Sequence, residues 1–439
     1  MSGFFEHLWT TLNNSFSKIT SLQATVIGVS CWLLLVKSQR WKKYDAIHKK
    51  YGPKWNNGQG KITAAEAQVI IRMSLHNDMA FLMNYALSFA LFKTYAIPSI
   101  SKLLLGTKQL GSKEMVSRRY ADTAILISTF FTCPYSGFWD PDVGRENQEL
   151  GDKSQPAEDP RAMIAVARMN WIHSHYTIPN RDYVYTLSLF ILEPARWAER
   201  YGWRPLSPLE KHAYFVFWVD LANKMGMQDV PESIGALEDL VEQFESKYMV
   251  PAKSNHETAI HTFNELLGAI PKAFGLRKHA DSIAICLLED NVREAMMFPK
   301  QSAGHHSFTQ NLLKFVSFVQ CHLLLPRAST NPRLTVDNRR VPDTDPCPRL
   351  HMKKWPMKPW YKPESIGLGY YAMKLQVALG IFSDMPGPHL KSNGYRLEEI
   401  GPVELESSGY EEVFNQAAKM QGCPISGPWS LEARRKEQA

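Results

Sequence analysis

Across most of residues 64–325 the apolar positions recur with a period near 3.6, and few stretches alternate with period 2, so the chain reads as all-α. The pattern predicts helices over 64–93, 115–132, 160–176, 182–200, 208–226, 231–248, 256–272, 279–297 and 307–325. Two helix starts carry their own punctuation. Asp159-Pro160 reads as an N-cap followed by proline at the first helical position, and Ser207-Pro208-Leu209-Glu210 as a capping box. Residues 19–36 depart from this amphipathic texture as an uncharged run of 18 residues bracketed by Lys18 and Lys37. A helix of that length spans roughly 27 Å, close to the thin hydrocarbon core of the endoplasmic reticulum membrane. A cleaved signal peptide would need small residues at its end, whereas this run ends in KSQRWKK. A buried core helix is the remaining rival. The periodicity also stops after Leu325, where eight prolines fall within 326–363, so an extended segment is expected there, with a short helix at 409–421. The expected organisation is a lumenal N-terminus (1–18), a single transmembrane helix (19–37), a basic linker (38–63), a helical domain (64–325) and a Pro-rich segment with a C-terminal tail (326–439).

Charge sharpens the N-terminal reading. The net charge is +7, yet the first 50 residues alone hold seven Lys/Arg against Glu6 and Asp45, and the remainder is nearly neutral. A folded part without a basic stripe is not a nucleic-acid surface. Lys37, Arg40, Lys42, Lys43, Lys49 and Lys50 follow the apolar run and only Lys18 directly flanks it on the other side, so the positive-inside rule puts the C-terminal bulk in the cytosol. The six cysteines (31, 133, 286, 321, 347, 423) show no Cys-x-x-Cys pair, which argues against a disulfide framework or zinc knuckle. Without a Cys-x-x-Cys-His, any haem would be held non-covalently.

Several histidine arrangements drop out on geometry. His256-Glu257 and His261 are one residue too far apart for a zinc-binding HExxH, since five helical residues turn the second ring roughly 140° away. His305-His306 follows Gly304 and is expected in a solvated loop. No pair of Glu-x-x-His motifs suits a di-iron bundle, and no cysteine ends a Gly-rich loop. In WIHSHY, His173 shares a helical stripe with Met163, Val166 and Met169, while His175 lies about 200° away. An imidazole on such a stripe is either a packed core histidine or the proximal ligand of a b-type haem. On SRRYADTAIL, Arg119, Asp122 and Thr123 fall at i, i+3 and i+4. They form either a surface salt bridge or a polar patch that orients oxygen over a cofactor.

The stretches LFKTYAIPSISKLL, RRYADTAILI, VARMNWIHSHY, YTLSLF with P-x-R, and ESKYMVP, in this order over roughly 64–300, resemble the MpaB-type ER-bound fungal oxygenases and the bacterial latex clearing proteins. The resemblance implies an all-α, globin-like domain holding haem b, with iron on the histidine that matches His173. It also places a distal Arg-x-x-Lys-Thr on Arg119, Asp122 and Thr123. Asp122 stands where that motif has lysine, so a distal lysine is not carried over. Thr177 stands where the family has an arginine four residues past its histidine. Arg168, Arg196 and Arg293 are the candidates for haem propionates. The implied reaction is O2-dependent cleavage of a C=C bond in a lipophilic isoprenoid or meroterpenoid substrate at the endoplasmic reticulum membrane. Rival readings are a haem monooxygenase or peroxygenase, and a membrane-tethered binding protein without a cofactor.

Overall fold

The computed structural model describes residues 20–109, 113–139, 158–267, 270, 275–327, 335–337, 348–355 and 357–438. The expected lumenal segment 1–18, Cys347 and the 268–272 end of one expected helix lie outside the described residues, apart from residue 270. Helix α1 (Ser21–Arg40) opens on a Thr20/Gln23 capping box and leaves Leu22, Val26, Ile27, Val29, Trp32, Leu33, Leu34 and Leu35 exposed. Among the described residues it is the one unbroken helix long and apolar enough to cross a membrane. Helix α2 (Lys42–Trp55) follows and leads into the folded body.

The expected helix over 64–93 is two. Helix α3 (Ala64–Arg72) runs into a π-helical turn at Met73–Asp78, and α4 (Ala80–Thr94) restarts after Met79, whose φ/ψ of −133°/36° breaks the ladder. The wider π turn shifts the side-chain register. It delivers Asp78 to buried Arg204 (2.8 Å), which in turn holds Glu210 (2.6 Å) of the capping box at Ser207. Helices α5 (Pro98–Gly106), α6 (Lys113–Thr132), α7 (Arg161–His173), α8 (Asn180–Tyr201), α9 (Pro208–Lys224), α10 (Ile234–Tyr248) and α11 (Lys253–Leu266) complete the body. The start of α7 differs from expectation: the N-cap is Pro160, and Asp159 instead grips Arg161 through Nε (2.8 Å) and Nη2 (2.7 Å). The expected 279–297 helix is also two, α12 (Leu276–Cys286) and α13 (Asp290–Ala295), because Glu289 leaves the ladder to meet Lys93 (2.6 Å) and Arg200 (2.9 Å). Helix α14 (Ala303–His322) begins earlier than periodicity suggested. His305 and His306 lie in its first turn rather than in a loop, with Ser302 capping the His305 amide.

Packing follows the apolar stripes. Helix α4 lies along α8, α3 along α9, α6 along α7, and α11 against α5 and α6. Phe131 stacks on Phe217 (5.1 Å between centroids) and Phe190 on Trp218 (4.7 Å). Each fully buried ring of this kind stabilises the fold by about 1.5–3 kcal/mol. Among the described residues beyond α14, turns and short 3-10 segments connect α15 (Leu368–Ala378), α16 (Tyr410–Gln421) and α17 (Leu431–Gln438). Among the described residues there are only isolated β-bridges, such as Leu350 with Tyr395. This segment is not peripheral. Trp360, Tyr361, Leu390, Tyr395, Ile400, Phe414 and Trp429 belong to the same buried core as Phe131 and Phe217, and α16 lies along α7. At Gly409 (φ +80°) the chain passes so close to Trp171 that a Cβ would collide with the ring.

Candidate active site

His173 is the last residue of α7. Met163 and Val166 on its stripe are buried, and the imidazole packs against Tyr183 (5.6 Å) in the first turns of α8. Pro179 makes this contact by stopping the preceding turn and capping α8. The Nδ1 atom of His173 is buried without a hydrogen-bond partner. Burial pushes the imidazole down to about 4, and the Arg119 charge adds to the effect. The ring is therefore neutral near pH 7. His175 points out, its Nδ1 bonded to the Trp171 carbonyl (2.8 Å) and its ring edge-on to Trp171.

Helix α6 presents two different faces. The Arg119 charge bears on His173 and on Tyr95. Burial pushes the Tyr95 phenol up, against a bond with Thr262 of α11. The neighbouring Tyr120 phenol is also raised by burial, beside Tyr85 and Ser88 of α4 and Glu265 of α11. Thr123 is half-buried one turn on from Arg119. On the other face, Asp122 accepts a hydrogen bond from the Tyr361 hydroxyl (2.7 Å) and lies 3.7 Å from Arg118 Nε. Arg118 reaches on to Glu406 and donates to the Gly401 carbonyl (3.2 Å), and the Trp360 indole donates to Ser117 (3.2 Å).

The expected patch of Arg119, Asp122 and Thr123 is thus divided. Asp122 is a buried structural acid that joins α6 to the C-terminal segment, with Arg118 rather than Arg119 as its ion-pair partner. The arginines proposed for propionates are engaged elsewhere. Arg168 is fully buried and donates to the carbonyls of Ile400, Ser408 and Leu405, each at 2.8 Å. Arg196 pairs with Glu193 (2.9 Å) and lies 13 residues along α8 from Tyr183, roughly 20 Å away. Arg293 is held by Asp290, Glu294 and the Phe298 carbonyl. Sequence reasoning missed Tyr95, Tyr120, Thr262 and Tyr183. Tyr95 lies in LFKTYAIPSISKLL, a stretch noted for its resemblance and given no role.

Among the described residues no group of three or more His, Cys, Asp or Glu could hold a metal ion. What His173 offers is a single neutral nitrogen ligand in an apolar setting, and that donor set fits a b-type haem, which needs one proximal imidazole. Residues 166–318, a stretch that includes His173, match the family described as ER-bound oxygenase mpaB/B'/Rubber oxygenase, catalytic domain. Over 400 residues the chain is 30% identical to the ER-bound oxygenase mpaB' of Penicillium brevicompactum, covering 87% of this chain and 88% of that protein. It is 31% identical over 284 residues to the ER-bound oxygenase mpaB of Penicillium roqueforti (strain FM164), covering 60% of this chain and 86% of the relative. With similarity of this extent running through an all-helical body that carries an apolar N-terminal helix, the chain belongs to the ER-bound oxygenase mpaB/B' and rubber oxygenase family.

Proposed function

We propose that the chain is a haem b-dependent oxygenase that uses O2 to cleave a C=C bond of a lipophilic isoprenoid or meroterpenoid substrate. In this reading α1 crosses the endoplasmic reticulum membrane once and the helical body faces the cytosol, as the basic residues after the span favour. The observation that carries the proposal is the inward imidazole of His173, neutral and without a partner at Nδ1. Haem, when bound, supplies the activation of dioxygen.

The protein's own contribution is ligation, charge and dryness. His173 keeps a lone pair free at any pH above about 4. Arg119, whose charge bears on His173, would supply a cation that stabilises negative charge on oxygen. Tyr95 and Tyr120, their phenols raised by burial, stay protonated and keep their hydroxyl donors. Cleavage of an alkene by one O2 leaves one oxygen atom on each carbon of the former double bond, so atoms and electrons balance without an external reductant.

Two measurements test this. The full chain purified in detergent should show a Soret band, and its absence after haem supplementation would overturn the cofactor assignment. Turnover of an isoprenoid alkene under labelled O2 should place one label in each carbonyl fragment. An intact carbon skeleton with a single added oxygen would replace cleavage with monooxygenation.

A further inference from the structure

Helix α14 carries a surface that water does not explain. Of its 20 residues only Thr309 is buried, whereas Phe308, Leu312, Phe315, Val316 and Phe318 are exposed. Lys314 is the one Lys, Arg, Asp or Glu within 303–325. A contiguous apolar face of this kind marks an interaction surface.

Where α14 ends decides what covers it. The Trp32 indole of α1 donates to the Leu323 carbonyl (2.8 Å), and Arg40 Nε donates to the Cys321 carbonyl (3.1 Å). Arg40 Nη2 also bonds the carbonyls of Gln320 and Leu324. Trp32, Val36 and Arg40 lie on one face of α1, and Val36 and Arg40 are its buried residues. Trp32 stands five residues before Lys37, about 7.5 Å toward the apolar side. Arg40 stands about 4.5 Å to the other side of Lys37, so residues 320–324, held between Trp32 and Arg40, lie at the edge of a bilayer that ends at Lys37, where interfacial helices lie. Leu323, Leu324 and Leu325 are exposed there, beside the exposed Leu33, Leu34 and Leu35. Arg40 supplies donors to the helix-end carbonyls at that edge.

We propose that α14 together with residues 323–325 is a second membrane-contacting element, lying in the cytosolic interface with its Phe and Leu face among the acyl chains. The inference rests on α1 spanning the bilayer as proposed above.

The test is hydrophobic photolabelling of the full chain in phosphatidylcholine vesicles doped with a diazirine-tailed phosphatidylcholine, with adducts located by peptide mass spectrometry. Adducts are expected on 308–325 as well as on 21–36, and none on the water-facing side of α10. Adducts on 21–36 alone would overturn the second element and leave the anchor standing. Adducts on neither would overturn the spanning topology as well. The double variant Phe315→Glu/Phe318→Glu, with unchanged helix content, should lose adducts from 308–325 while keeping those on the anchor. Retention of the 308–325 adducts would overturn the assignment of that face to lipid.

Discussion

The two faces of helix α6 use similar residues to opposite ends. On one, Arg118 is neutralised on both sides by Asp122 and Glu406, with Tyr361 and Gly401 completing the polar set. On the other, the Arg119 charge bears on His173 and on the Tyr95 phenol, and adds to burial in lowering the His173 proton affinity. A buried cation that meets carboxylates fastens the fold. A cation left next to neutral groups keeps a field available for chemistry. Adjacent arginines, 100° apart on one helix, thus meet different surroundings.

Breaking each face separately checks this division, and the largest effect is expected at the end of α7. His173→Ala should abolish the Soret band, whereas His175→Ala, which alters an exposed ring, should leave it intact. Loss of the band in the His175 variant alone would reverse the assignment of the two rings. Next, Arg118→Ala should destabilise the protein by about 3–5 kcal/mol, because it strands buried Asp122. Thermal melts should register that loss while product formed per bound haem stays near wild type. Arg119→Ala should show the complementary behaviour. Removing a preorganised charge from the site should lower turnover by about 10²–10³-fold, or about 2.7–4 kcal/mol, with melting and haem content preserved. Equal losses of melting temperature in the Arg118 and Arg119 variants would erase the contrast between the faces.

The smallest expected effect separates a buried imidazole from a functional one. His76, in the π turn, is pushed down to about 3 by burial and then by Arg72 and Arg327. In the unfolded chain an imidazole titrates near 6.5, so below that pH the unfolded state takes a proton that the folded state refuses. The contribution of His76 is complete above about pH 6.5 and is lost as pH falls toward 3. His76→Gln should therefore lose less stability than wild type between about pH 7 and pH 5, measured by urea unfolding, with haem content and product unchanged. A loss of haem in this variant would move the site away from His173.

That His173 rather than His175 is the less exposed ring was legible because helical offsets fix which of two nearby rings joins an apolar stripe. The division of the Arg119 patch was not. Asp122 has Arg118 at i−4 and Arg119 at i−3, and both spacings allow an ion pair. The choice falls to Tyr361, 239 residues away, which no local pattern contains. The break between α3 and α4 was hidden for the same reason, since the π turn presents Asp78 to a distant Arg204. The C-terminal segment looked like a tail because extended backbone has no period to read, although its aromatic residues complete the core.

The Arg168 clamp gives the protein a timetable. The guanidinium on the helix that carries His173 takes its acceptors from Ile400, Leu405 and Ser408, the first of them 232 residues downstream. At translation rates of about 5–20 residues per second, the first of those acceptors is polymerised roughly 12–46 s after Arg168 itself. During that interval α7 lacks the acceptors for its arginine, and the helix that carries His173 waits in an unfinished seat. Completion of the packing around His173 is therefore a late event of synthesis, and a message truncated before codon 400 would yield a protein whose α7 arginine lacks these acceptors.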